Sequence, residues 1–125
     1  MSAIKRSVVI VGSDEAHSLR LAGALRKHDF HVCLTDNPDH ALSEAERGKI
    51  DFVLVDHCLP QINGIELTRR LKSRSADVGV LFVSQDLDLD MYIEEMNSGA
   101  NDCLQKPCDM RDVVRVIEYS RLRPV

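Results

Sequence analysis

Asp51–Gly64, DFVLVDHCLPQING, is the stretch around which the chain reads as organised. Phe52 to Val55 is a short apolar run rich in β-branched residues, the composition of a strand covered on both faces. It ends at Asp56, a carboxylate placed where a parallel strand runs out into a loop. Pro60 stops regular structure. Asn63-Gly64-Ile65-Glu66 then reads as a helix start, with Asn63 as cap and Glu66 three residues on, as in a capping box. Strand, acid at its tip, loop, helix: in open α/β sheets that carboxyl edge is where ligands and chemistry sit.

The same unit recurs on either side. SVVIV from Ser7 predicts a first strand, broken by Gly12-Ser13-Asp14, where Ser13 or Asp14 can cap a helix with Ala16, Leu19, Ala22 and Leu25 on its inner face. HVCLT from His31 predicts a second strand. Asn37-Pro38 follows as a capping side chain with proline at the first helical position, Ala41, Leu42 and Ala45 form that helix's apolar face, and Gly48 suits its C-terminal end. Beyond the central unit, Ile65, Thr68 and Leu71 face inward on the third helix, with Arg69, Arg70 and Lys72 outside. VGVLFVS from Val78 predicts a fourth strand ending in a hydroxyl. A fourth helix, capped by Asp86 or Asp88 and closed by Gly99, is lined by Leu89, Ile93, Met96 and Ala100. Asp102 to Gln105 predicts a short fifth strand, then Lys106-Pro107, then a helix capped by Asp109 and carrying Met110, Val113, Val114 and Ile117. Strict β-α alternation implies a parallel sheet covered on both faces, with right-handed crossovers.

Composition narrows the function classes. The 125 residues suit one domain, with 121–125 as the possible start of a linker, and a net charge of −4 gives no basic footprint for nucleic acid. The arginines near the last helix read as a solvated face. No apolar run approaches the length that spans a bilayer. The apolar stretch in MSAIKRSVVIVG is too short for a signal-peptide core and lacks a small-residue cleavage site, so the chain reads as cytoplasmic. Cys33, Cys58, Cys103 and Cys108 contain no CxxC pair, which predicts reduced thiols. His57 with the cysteines matches no common zinc spacing. No GxGxxG follows the first strand, which argues against a dinucleotide-binding enzyme on this fold.

In a doubly wound sheet the ends of strands one, three, four and five converge on one edge. Asp56, Ser84 and Lys106 around one pocket suit a phosphoryl group on the aspartate: the carboxylate as nucleophile, lysine neutralising the equatorial oxygens, serine donating a hydrogen bond. Here the sequence resembles the receiver domains of two-component response regulators. VDHCLPQING matches the family's acceptor loop, VSQD its hydroxyl strand end, and GANDCLQKP its lysine-proline segment. The resemblance covers nearly the whole chain and rests on the order and spacing of all three.

The resemblance implies a flavodoxin-like α/β fold with strand order 2-1-3-4-5. It makes Asp56 the phospho-acceptor, Ser84 the switch hydroxyl and Lys106 the phosphate-pairing lysine, with a cis peptide bond before Pro107. The partner would be a histidine kinase or a phosphotransfer protein. The face of the fourth helix, fifth strand and fifth helix would meet an output partner or a second copy, and the domain would not itself be an enzyme. It also implies Mg²⁺, for which Asp56 and Asp14 are the candidate ligands.

Three departures stand out. The family's two consecutive acids at the end of strand one are Gly12 and Ser13 here, with Asp14 one residue late; Mg²⁺ is usually held by carboxylates. The family's switch aromatic is Cys103, and Gln85 is bulkier than the usual residue after the hydroxyl. They support an alternative: a degenerate receiver acting as a phosphorylation-independent protein-interaction module. If phosphate is accepted, the departures predict that it perturbs mainly the loops after strands three and four, with little change at the face of the fourth helix, fifth strand and fifth helix.

Overall fold

A computed structural model describes residues 6–13, 15–56, 63–85, 87–106 and 108–122. Expectations for Asp14, the 57–62 loop, Asp86 and Pro107 lie outside these residues. The elements alternate as β1 Arg6–Val11, α1 Glu15–Lys27, β2 Phe30–Thr35, α2 Pro38–Glu46, β3 Phe52–Asp56, α3 Gly64–Arg74, β4 Gly79–Ser84, α4 Leu89–Asn97, β5 Asp102–Gln105 and α5 Met110–Leu122. All strand pairs are parallel, in the order β2-β1-β3-β4-β5. This is the doubly wound sheet that the alternation predicts.

Successive side chains of a strand point to opposite faces, and both faces are used. Val9, Val11, Val53, Val55, Val80 and Phe82 pack with Ala41, Leu42, Leu67 and Leu71 on the α2–α3 side. Val8, Ile10, Leu54, Leu81 and Val83 pack with Leu21, Leu25, Val113, Val114 and Ile117 on the α1–α5 side. That two-sided burial is why the strands read as unbroken apolar runs rather than alternating ones.

Local signals account for most helix boundaries. Asn37 accepts from the Asp39 N–H with Pro38 opening α2, and Asn63 accepts from the Glu66 N–H at 2.8 Å to open α3. Asp88 caps α4 through the Met91 N–H, and Asp109 accepts from the Arg111 N–H before α5. Gly64 lets α3 begin against the sheet: a Cβ there would lie 2.6 Å from the Phe82 ring and 2.9 Å from Val55. The first turn of α3 thereby packs closely onto β3 and β4.

Two helical faces differ from the reading by periodicity. In α1, Ala16 and Leu19 are exposed, and the buried stripe is His17, Ser18, Leu21, Ala22 and Leu25. Steps of three residues fall short of a 3.6-residue turn, so a run of them drifts around the helix until Ala16 stands opposite Leu25. In α4, Leu89 and Ile93 face solvent, Met96 is half-buried against the core, and the fully buried residue is Glu95. On α3, Lys72 is half-buried rather than outside, its ammonium donating to the Val78 carbonyl.

Candidate functional site

Asp56 is the last residue of β3, at the carboxyl edge of the sheet and beside Val83 of β4 in register. Its neighbour across the other side is the end of β1. A Cβ built on Gly12 would lie 3.2 Å from Asp56 Cβ and 3.6 Å from Oδ2. Glycine there leaves the carboxylate without a side chain crowding it from β1.

Lys106 follows β5 directly and reaches back over β4. Its Nζ lies 3.3 Å from Asp56 Oδ2, with both side chains mostly buried. The lysine is aimed by the main chain: its N–H donates to the Ser84 carbonyl at 2.7 Å, tying the ends of β4 and β5 together. A mostly buried ammonium beside a carboxylate that remains partly open to solvent can neutralise negative charge added to that carboxylate.

Ser84 closes β4 and is 1% exposed. Its hydroxyl donates to Glu95 Oε2 at 3.2 Å, a partner on α4. Glu95 was not foreseen from the sequence, because a carboxylate in a mixed helix marks the solvent side by default. Cys103 of β5 lies against the same carboxyl. Burial first, then hydrogen bonding to Glu95 and the charges of Glu95 and Asp102, push its thiol well above the ordinary range. Among the described residues, Cys33, Cys103 and Cys108 are free thiols.

A metal is a poorer fit. Beside Gly12 a cleft of about 440 Å³ is lined by Gly12, Ser13, Glu15, Ser18, Thr35 and Asp36. Among the described residues no group of three His, Cys, Asp or Glu side chains converges as a metal-holding set. Gly12 supplies no side chain where a carboxylate would reach Asp56, and Lys106 already occupies Oδ2. The candidate ligand Asp14 lies outside the described residues. The described donors therefore do not compose a Mg²⁺ site by themselves, since that ion takes near-octahedral oxygen ligation.

Known proteins place this geometry. The family model of the response regulator receiver domain matches residues 8–118. The sensory transduction protein RegX3 of Mycolicibacterium smegmatis is 32% identical over 108 residues, which are 86% of this chain and 47% of that protein. The two-component response regulator ORR1 of Oryza sativa subsp. indica is 33% identical over 110 residues, 82% of this chain and 48% of that protein. The chain thus spans about half the length of these curated relatives. A response regulator from Thermotoga maritima superposes with a TM-score of 0.80 at 28% identity, covering 92% of this chain and 99% of that one. The CheY-like receiver domain from Methanospirillum hungatei JF-1 gives 0.86 at 21% identity, covering 94% of each chain, a likeness of fold. On the match across residues 8–118, the chain belongs to the response regulator receiver domain family.

Proposed function

We propose that this domain accepts a phosphoryl group on Asp56 from the phosphohistidine of a histidine kinase or phosphotransfer protein. The observation that carries the reading is the 3.3 Å pair of Lys106 and Asp56, joined across 50 residues of sequence at the carboxyl edge of the sheet. An Asp56 oxygen attacks phosphorus, the P–N bond to the donor imidazole breaks, and the imidazole leaves with a proton from solvent. Charge spreads onto the equatorial oxygens during transfer, and Lys106 is poised to meet it. On this reading the domain is an acceptor rather than an enzyme, and its donor places it in the cytoplasm. No step is assigned to Mg²⁺, whose ligands the described residues do not assemble.

Gly12-Ser13 and Cys103 favour a second reading, a receiver kept as a phosphorylation-independent interaction surface. Intact mass after incubation with acetyl phosphate and Mg²⁺ separates the two. The wild type should gain the mass of one phosphoryl group, Asp56→Ala none, and Lys106→Met should gain it about 100-fold more slowly, the scale of losing one charge-stabilising donor. A wild type that stays unmodified would leave the second reading in possession.

A further inference from the structure

Ser84, Glu95 and Cys103 form a buried contact that phosphoryl transfer, as described above, does not use. Glu95 is fully buried on α4, Ser84 is 1% exposed and Cys103 is 7% exposed. Burying a carboxyl is costly unless it is hydrogen-bonded, and the Ser84 hydroxyl supplies such a bond at 3.2 Å. Cys103 stands where the resemblance calls for an aromatic ring. Instead of a ring, the fold places a small thiol there, with the Glu95 carboxyl against it.

We propose that Glu95 is a positioning residue for Ser84: its carboxyl holds the hydroxyl on the α4 side, and a phosphoryl group on Asp56 gains that hydroxyl only by taking it from Glu95. The inference rests on the reading of Asp56 as acceptor. A serine hydroxyl has one proton to donate, so donation to Glu95 and donation to a phosphoryl oxygen exclude each other. The Ser84 main chain is pinned by the Lys106 N–H at 2.7 Å. The exchange is therefore a rotation of the side chain between staggered positions, without a shift of β4. Glu95 acts as a latch that lowers the stability of the phosphorylated state and carries its formation to α4. A ligand shifts a two-state equilibrium only by its differential affinity, and here that difference is set by which acceptor Ser84 prefers.

Beryllofluoride affinity in the presence of Mg²⁺, read from amide shifts, tests the latch alongside acetyl phosphate labelling of the same variants. Glu95→Met fills similar volume without a strong acceptor and should bind beryllofluoride about tenfold more tightly than wild type, the scale of one competing hydrogen bond. Glu95→Gln keeps an acceptor and should stay near wild type. In a Ser84→Ala background Glu95→Met should bring no gain, whereas a merely structural role for Glu95 would change affinity equally in both backgrounds. Glu95→Ala serves the same comparison where Glu95→Met does not fold. Equal affinity in wild type and the Met variant, or a gain that survives loss of the Ser84 hydroxyl, overturns the latch and leaves Asp56 as acceptor. Labelling of both proteins, with the Met variant retaining more label, upholds both readings. No labelling of either removes the acceptor reading, and the latch with it.

Discussion

Cys103 shows how one small residue changes the chemistry of a pocket. Its thiol is raised first by burial and then by the Glu95 carboxyl and the charge of Asp102. The folded state therefore holds the thiol proton more tightly than the unfolded chain does. A group raised in this way contributes stability that is full below its unfolded pKa, near 9, and is lost as pH rises above it. Cys103→Val should flatten the alkaline fall in stability that begins near pH 9, measured by urea unfolding from pH 8 upward. An unchanged alkaline slope would count against the buried neutral thiol. Gly12 sets a second residue-scale test. Gly12→Asp with Ser13→Asp should tighten Mg²⁺ binding about tenfold or more by adding hard oxygen ligands beside Asp56. Part of that gain will be offset, because a Cβ at position 12 stands only 3.2 Å from Asp56 Cβ. Isothermal titration giving the same affinity for both proteins would show that the ion does not bind at this edge.

Elements were legible where the signal was local. Asn37-Pro38, Asn63 to Glu66 and the β-branched runs announced their helices and strands because a cap or a two-sided strand leaves its mark within a few residues. The meeting of Asp56 and Lys106 was legible because each sits where a strand ends. The orientation of α4 was not legible. Leu89, Met96 and Ile93 share a face, and the reading put that face inward. The fold turns Glu95 and Ser98 to the interior, with Leu89, Tyr92 and Ile93 exposed. Hydrophobic periodicity identifies a face but cannot foresee a buried carboxyl, whose burial depends on a serine from another strand. The α4 arrangement sharpens what a phosphoryl mimic should do. With no ring to swing at position 103, amide shifts on adding beryllofluoride should concentrate near Ser84, Glu95 and Cys103. They should stay small at Leu89, Tyr92 and Ile93. Large shifts along the whole of α4 would instead show the helix moving as a body.

At the scale of the molecule, the pocket has no continuous segment of its own. It is assembled where β1, β3, β4 and β5 finish, and Asp56 and Lys106 meet only because the order β2-β1-β3-β4-β5 brings distant pieces of chain to one edge. Among the strands, the central β1, β3 and β4 carry most of the buried aliphatic side chains. Asp56 therefore stands on a strand with neighbours on both sides, while Lys106 follows the outermost one.

That placement of β5 gives the two halves of the ion pair different lifetimes. The strand is four residues long and paired along one side only, with β4. Short border strands open more readily than the strands they flank. A brief peeling of β5 would carry the ammonium away while the carboxylate kept its scaffold, so the pocket would lose its cation long before the domain unfolded. The amides that donate from this strand's ends, Asn101 to Val80 and Lys106 to Ser84, each at 2.7 Å, are clocks for that event. Their deuterium uptake should run well ahead of Leu54 and Val55 in β3, and a phosphoryl group clasped by Lys106 should slow it. Exchange of Lys106 at the same pace as β3 would mean that the rim holds as firmly as the centre. Otherwise, if Asp56 is the acceptor proposed above, the time its acyl phosphate survives is governed in part by how often this border strand lets go.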